Sequence, residues 1–206
     1  MIEQLNLVQK KSEVWRESFL KPLLRHIRFT GNDITTFRLL LALSFPFLIL
    51  RFPLLAWLFI FTSFSLDALD GPIARFKNTD SDRGKFIDVL IDQITFILLI
   101  LGLIRLFPDL SQVLTTLGFI IPLTYLITII YKNEKSSSDW IIKPKTQLTI
   151  YKIIFIIIII SYLTQVLSKE IVWLLLWLEA ITAGFHFGIY YVAFINKDTS
   201  SPSHTK

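Results

Sequence analysis

Six long apolar runs separated by short polar segments occupy most of the chain. They lie at 35–50, 53–66, 86–107, 110–131, 147–167 and 171–195. A helix needs about 20 residues to cross a bilayer, within a range of about 17 to 25. The pattern predicts an all-α integral membrane protein with six transmembrane helices. The first two runs are short enough to be buried helices instead.

The segments that flank these runs have a different character. Residues 1–34 alternate apolar with basic positions, which predicts an N-terminal amphipathic helix in the membrane interface. A soluble N-terminal extension is the alternative. Residues 196–206 are rich in Ser, Thr and Lys, as is typical of a disordered tail. The predicted organisation is a juxtamembrane segment (1–34), a six-helix membrane domain (35–195) and a cytoplasmic tail (196–206).

Composition supports a membrane protein and excludes some kinds of chemistry. Of the 206 residues, 53% are hydrophobic, and the mean hydropathy is +0.59. The chain has no cysteine, which excludes a thiolate zinc site and a cysteine nucleophile. The net charge of +5 fits basic loops that face anionic lipid head groups, and we expect no nucleic-acid partner.

The distribution of basic residues predicts the orientation. With the N-terminus in the cytoplasm, 16 of the 21 Lys and Arg residues lie on inner segments and 3 on outer turns. Cytoplasmic loops carry an excess of Lys and Arg. We therefore expect a multi-pass protein of the bacterial inner membrane, with both termini and the segment 67–92 on the cytoplasmic side.

Two pairs of aspartates stand where apolar runs end or begin. Asp67 and Asp70 are three residues apart, and Asp88 and Asp92 are four apart, so each pair shares a helix face. Carboxylates at a membrane edge are costly unless they are paired or bind a metal. Two facing helices with two acids each would suit a hard divalent cation. The alternative is a solvated loop whose acids pair with the basic residues Arg75, Lys77, Arg83 and Lys85.

The whole stretch resembles a known family signature. Asp67-x2-Asp70-Gly71-x2-Ala74-Arg75-x8-Gly84-x3-Asp88-x3-Asp92 is similar, at every fixed position, to the signature of the CDP-alcohol phosphatidyltransferases. The resemblance implies transfer of a phosphatidyl group from CDP-diacylglycerol to an alcohol, with release of CMP. It also implies a homodimer that synthesises phospholipids.

The resemblance implies a role for each fixed position. Two ions, Mg²⁺ or Mn²⁺, would be held by Asp67, Asp70, Asp88 and Asp92, with Asp67 and Asp88 bridging both ions and Asp92 also acting as general base. The CDP diphosphate would lie against the remaining signature residues and one nearby serine. These are Gly71, Ala74, Arg75, Ser81 and Gly84.

Two further segments resemble phosphatidylglycerophosphate synthases within that family. Asn32-x2-Thr35-x2-Arg38 lies at the start of the first run, which implies contacts of Asn32 and Thr35 with the CDP moiety. The alternative is that Asn32 or Asp33 caps the first helix.

The second segment is Lys143-Pro-Lys145-Thr146, at the start of the fifth run. It implies that Lys143 and Lys145, with Lys152, hold the phosphate of the acceptor, glycerol 3-phosphate. Positive-inside charge explains the first two lysines equally well, and Lys152 could snorkel to the interface.

Other functions remain open at this level. Within the family, the acceptor could be serine, inositol phosphate or phosphatidylglycerol, or the enzyme could use a CDP-choline-type donor. From other classes, a cation transporter or a catalytically inactive scaffold is possible. In the sixth run, Gly184-x3-Gly188 allows close helix contact. Glu179 and His186, seven residues apart, predict interhelical hydrogen bonds.

Overall fold

The structure, a computed structural model, describes residues 29–77, 82–134 and 144–198. Within these ranges, side chains are described for all residues except 68, 70, 71, 75, 82, 83, 85, 131–134, 144–149, 197 and 198. The described residues form six α-helices and a 3₁₀ turn, Pro108–Leu110. The helices are α1 (Gly31–Leu48), α2 (Pro53–Phe76), α3 (Asp82–Leu106), α4 (Ser111–Glu134), α5 (Pro144–Leu163) and α6 (Lys169–Asp198).

The six helices follow the six apolar runs, with shifts at their ends. Most of the predicted amphipathic helix lies outside the described residues, while α1 begins at Gly31, inside the segment predicted to precede the membrane domain. At the other end, α6 continues to Asp198, three residues into the predicted tail. Residues 199–206 lie outside the described part.

Helix α1 starts with a reciprocal cap. Thr30 is the N-cap: its hydroxyl accepts from the Asp33 backbone N–H at 3.3 Å, and Asp33 Oδ2 accepts from the Thr30 backbone N–H at 2.8 Å. The backbone and hydroxyl donors of Thr30 hold the pKa of the Asp33 carboxyl below its ordinary value. The sequence placed the cap at Asn32 or Asp33. The capping pair is instead Thr30 with Asp33, because the helix begins one residue before Asn32.

Helices α1 and α2 form the tight hairpin that the two short runs predict. The backbone N–H of Phe52 donates to the Leu48 carbonyl at 2.7 Å, and α2 begins at Pro53, a residue suited to the first helical turn. The rings of Phe45 and Trp57 pack edge to face with centroids 5.3 Å apart. This hairpin fixes the register of α1 against α2.

The acidic stretch continues the helices instead of forming a long loop between them. Helix α2 runs ten residues beyond the end of its apolar run, through Pro72 to Phe76, and α3 begins at Asp82. Both aspartate pairs therefore lie on helical backbone. This agrees with the prediction of two acid-bearing helices.

Three described segments are long and apolar enough to cross a membrane. They are Phe86–Leu106, Pro108–Ile130 and Lys169–Asn196. Two shorter apolar helices, Pro53–Asp67 and Ile150–Leu163, accompany them. The structure thus supports an all-helical protein with three candidate spans, and six spans remain a prediction.

The chain divides into two compact units, Met1–Leu99 and Ile100–Lys206. In the second unit, Thr124 Oγ1 donates to the Ala183 carbonyl at 3.2 Å, which joins α4 to α6. Lys169 Nζ donates to Asp109 Oδ2 at 2.6 Å. That ion pair links the 3₁₀ turn to the start of α6, so α4 and α6 begin on the same side of this unit. The predicted topology requires that arrangement.

The close helix contact that the Gly184-x3-Gly188 spacing allows is not found in the described part of the second unit. A methyl group at Gly184 would come no nearer than 3.9 Å to Ile120, and one at Gly188 would meet nothing within 4 Å. The close approach lies at Gly118, where a methyl group would meet Cγ2 of Ile100 at 3.0 Å. Small-residue spacing alone does not identify which face packs.

Candidate metal centre

Four charged side chains from three helices of the first unit converge at one point. Asp88 and Asp92 lie one turn apart on α3, Asp67 lies on α2, and Arg38 comes from α1. The four-residue spacing places Asp88 and Asp92 on one face of α3, as the sequence predicts. Asp70 is on helical backbone three residues after Asp67, and its side chain is not among those described.

The three described carboxylates share the guanidinium of Arg38. Its Nη1 donates to Asp88 Oδ1 at 2.8 Å and its Nη2 to Asp92 Oδ1 at 2.6 Å. The same Nη2 lies 2.5 Å from Asp67 Oδ1. One oxygen of each carboxylate lies within 4.8 Å of an oxygen of the other two. The sequence prediction that these acids meet is therefore confirmed for Asp67, Asp88 and Asp92.

Burial differs sharply between the cation and its partners. The Arg38 side chain is 1% exposed, whereas those of Asp67, Asp88 and Asp92 are 41%, 39% and 26% exposed. The guanidinium thus lies beneath the carboxylates, which stay accessible to a ligand. Among the described side chains of the cluster, three negative charges face one positive charge, and two carboxylates about 4.8 Å apart repel by on the order of 3 kcal/mol at an effective dielectric constant of 20. The cluster favours a further cation.

The donor set fits a hard divalent ion. Mg²⁺ and Ca²⁺ take carboxylate oxygens at about 2.0–2.6 Å, so two ligands on opposite sides of one ion lie about 4–5 Å apart. The oxygens of Asp67, Asp88 and Asp92 satisfy that limit. These three residues could hold a Mg²⁺ or Mn²⁺ ion, and Arg38 would then contact the same carboxylates as the ion.

Arg38 is the residue that sequence reasoning missed at this centre. The sequence assigned roles to Asn32 and Thr35 of the Asn-x2-Thr-x2-Arg segment and left Arg38 as a charge within a span. A charge inside an apolar run signals a buried partner. The partners could not be read from the sequence, since they are 29, 50 and 54 positions away.

The alternative of a solvated loop with local ion pairs fails for the one basic residue of that set whose side chain is described. Lys77 Nζ donates to the Phe29 carbonyl at 2.7 Å. This hydrogen bond ties the end of α2 to the segment before α1. The three described aspartates contact Arg38 of α1.

The predicted CDP-binding residues fall into two groups. Asn32 is exposed on the first turn of α1, whereas Thr35 is buried and its hydroxyl donates to the Gly31 carbonyl at 3.0 Å. Ala74 on α2 and Gly84 on the first turn of α3 are half-buried. The structure does not describe the side chains of Gly71 and Arg75, and Ser81 lies outside the described residues.

The predicted acceptor lysines belong to the second unit. Lys152 Nζ lies 5.7 Å from the centroid of the Tyr125 ring, a cation–π contact between α5 and α4. Lys145 is on the first turn of α5 without a described side chain, and Lys143 lies outside the described residues. Only Lys152 can therefore be placed by its contacts.

Glu179 and His186 on α6 behave differently from each other. His186 Nδ1 hydrogen-bonds to the Tyr151 hydroxyl of α5, the interhelical contact that the sequence predicts. The Glu179 side chain is buried, and neither of its carboxylate oxygens has a hydrogen-bond partner among the described residues. The interhelical hydrogen bond expected for Glu179 is thus not found in the described part.

Comparison with known proteins gives one result. The family model described as CDP-alcohol phosphatidyltransferase matches residues 29–185. No curated protein matches the chain. The matched range begins just before α1 and contains Arg38 and all four aspartates.

Proposed function

Because the chain belongs to the CDP-alcohol phosphatidyltransferase family, we propose that it transfers a phosphatidyl group from CDP-diacylglycerol to glycerol 3-phosphate and releases CMP. The family supports transfer of a phospholipid head group from a CDP-alcohol, and its members act in phospholipid biosynthesis at membranes. The donor lipid and the acceptor are the finer parts of the proposal. The observation that carries it is the convergence of Asp67, Asp88 and Asp92 within 4.8 Å.

The proposed metal site uses four carboxylates. Asp67, Asp88 and Asp92 would hold the ions together with Asp70, their neighbour in the signature. Two Mg²⁺ or Mn²⁺ ions, when bound, supply positive charge to the diphosphate and align the attacking and leaving oxygens. Support comes from the oxygen-only donor set and from side chains that are 26–41% exposed, open to a ligand.

The proposed chemical step is a proton transfer coupled to displacement. Asp92 would accept the proton of the acceptor hydroxyl as that oxygen attacks the phosphorus next to the lipid, and CMP leaves. An aspartate is a weak base at neutral pH, so the hydroxyl must be well placed against it. The partial exposure of Asp92 supports access of a substrate hydroxyl.

The donor and acceptor would lie against separate sets of residues. Asn32, Thr35, Gly71, Ala74, Arg75, Ser81 and Gly84 would receive the CDP moiety. A planar arginine fork suits a diphosphate, and glycine allows close approach of the backbone. Lys143, Lys145 and Lys152 would receive the acceptor phosphate. The start of α5 favours an anion, because free backbone N–H groups point out of a helix N-terminus.

The proposed assembly is a homodimer in the bacterial inner membrane, with the active site on the cytoplasmic side. The excess of basic residues on the segments predicted to be inner supports this orientation. Chemical cross-linking in membranes would test the dimer, and a single monomer band at every cross-linker length would contradict it.

An acceptor panel tests the proposed reaction. Full-length protein in detergent receives CDP-diacylglycerol, Mg²⁺ or Mn²⁺ and one acceptor at a time, and CMP release is measured. The acceptors are glycerol 3-phosphate, serine, inositol phosphate and phosphatidylglycerol, and a separate reaction contains CDP-choline with diacylglycerol. We expect CMP with glycerol 3-phosphate and none with EDTA. If CMP is released only with another acceptor, that acceptor takes the place of glycerol 3-phosphate in the proposal. If no acceptor releases CMP, the transferase function is contradicted.

A further inference from the structure

The position of Arg38 has a consequence for how a metal ion reaches the cluster. Its guanidinium contacts Asp67, Asp88 and Asp92 at 2.5, 2.8 and 2.6 Å. These are the same three residues whose oxygens approach one another closely enough to hold an ion. A bound divalent ion and the guanidinium therefore draw on the same three carboxylates.

Arg38 cannot easily withdraw from this position. Its side chain is 1% exposed, and its backbone carbonyl accepts a hydrogen bond from Ser63 Oγ of α2 at 3.0 Å. That bond joins α1 to α2 four residues before Asp67. A guanidinium that left these aspartates would be a buried charge that had lost three counter-ions, which is strongly unfavourable. The positive charge is thus a fixed part of the centre.

The fixed charge has opposite effects on the metal-free and metal-bound protein. Without a metal, it offsets repulsion among three carboxylates and holds them together. With a metal, it places a second cation against the same oxygens and repels the ion. Arg38 neutralises part of the negative charge of the carboxylates, so the affinity of the site for the ion is lower.

We propose that Arg38 is an internal counter-ion of the aspartate cluster, which stabilises the metal-free protein and weakens divalent-ion binding at Asp67, Asp88 and Asp92. The proposal rests on the metal role given to these residues in the proposed function. Arg38 then acts as a positioning residue. It keeps the carboxylates together in advance, so that an ion enters an assembled site and leaves it reversibly.

Substitution of Arg38 tests the proposal through Mn²⁺ affinity and thermal unfolding, independently of turnover. The full chain in detergent is compared with Arg38→Gln, which removes the charge, and with Arg38→Lys, which keeps the charge but not the forked donors. Arg51→Gln is the matched control, because Arg51 is exposed in the turn between α1 and α2. Free Mn²⁺ is titrated by electron paramagnetic resonance, and unfolding is followed with EDTA and with Mn²⁺.

We expect Arg38→Gln to unfold at a lower temperature than the wild type in EDTA. We expect it to bind Mn²⁺ more tightly by at least about tenfold, because a unit positive charge at this distance has been removed. Mn²⁺ should then raise its unfolding temperature more than that of the wild type. Arg38→Lys should fall between the two, and Arg51→Gln should match the wild type in both measurements.

If the wild type binds Mn²⁺ and Arg38→Gln binds it equally or more weakly, the counter-ion role is overturned and the metal site stands. Absence of Mn²⁺ binding by the wild type would overturn both this proposal and the metal part of the proposed function. If Arg38→Gln folds only with Mn²⁺, the proposal is supported. If it folds in neither condition, Arg38→Met, which also removes the charge, decides in its place, and an affinity no higher than that of the wild type contradicts the proposal.

Discussion

At the scale of single residues, Asp88 has both a defined contact with Arg38 and a predicted role as a metal ligand. It contacts Arg38 Nη1 and lies one helical turn before Asp92, on the face that both share. Its carboxylate is partly exposed, so a ligand can reach it. An amide at this position would keep the size of the side chain and lose its charge.

We predict that Asp88→Asn lowers the rate of CMP release by more than about a hundredfold, because a charge that stabilises the transition state is lost. The helical content and the unfolding profile should remain close to those of the wild type. Asp109→Asn is the matched control, since Asp109 is exposed and lies in the second unit. Near-normal turnover by Asp88→Asn would remove its metal-bridging role.

At the scale of secondary-structure elements, helix contacts depend on the faces that meet and not on small-residue spacing. Gly188 of α6 has open space where a methyl group would be, whereas Gly118 of α4 faces Ile100. Ile100 is 2% exposed, and its β-branched side chain has few alternative rotamers. The two glycines therefore respond differently to the same substitution.

We predict that Gly188→Ala raises the free energy of unfolding by about 0.5–1 kcal/mol, because alanine is the better helix former. Gly118→Ala should lower it by about 1–3 kcal/mol, since Ile100 must be displaced in a packed interior. Unfolding of the detergent-solubilised protein measures both. Shifts of the same sign for the two variants would contradict the packing of α4 against the end of α3.

At the scale of the whole molecule, the distribution of Lys and Arg predicts the orientation in the membrane, and one contact of the second unit fits the predicted order of the spans. The ion pair between Lys169 and Asp109 places the starts of α6 and α4 on one side of that unit. The predicted topology places both starts at the outer surface. The basic segments 70–85 and 132–146 then lie inside, against anionic lipid head groups.

Because the chain has no cysteine, single cysteines can report this topology. We predict that Ser168→Cys, in the exposed turn before α6, reacts with a membrane-impermeant maleimide on intact spheroplasts. Ser201→Cys, in the C-terminal tail, should react only after lysis. The reverse pattern would invert the orientation, and labelling of both positions before lysis would mean that α6 does not cross the membrane between them.

The sequence by itself determined the helical class, the membrane setting and the spacing of the aspartates, because these follow from local periodicity and hydropathy. The lengths of the apolar runs predicted six helices, and the three- and four-residue spacings placed Asp67 with Asp70 and Asp88 with Asp92. The helix ends depend on more than hydropathy. The start of α1 depends on a cap at Thr30, and α2 continues through Pro72 although its apolar run ends earlier.

Only the tertiary structure decided which charges meet. Arg38 lies 50 residues from Asp88 and 54 from Asp92, and no local pattern distinguishes it as their partner among the basic residues of the chain. The choice depends on the α1–α2 hairpin, which fixes the face of α1 that turns toward the acids. A buried guanidinium needs a counter-ion, and only the packed helices provide three at once.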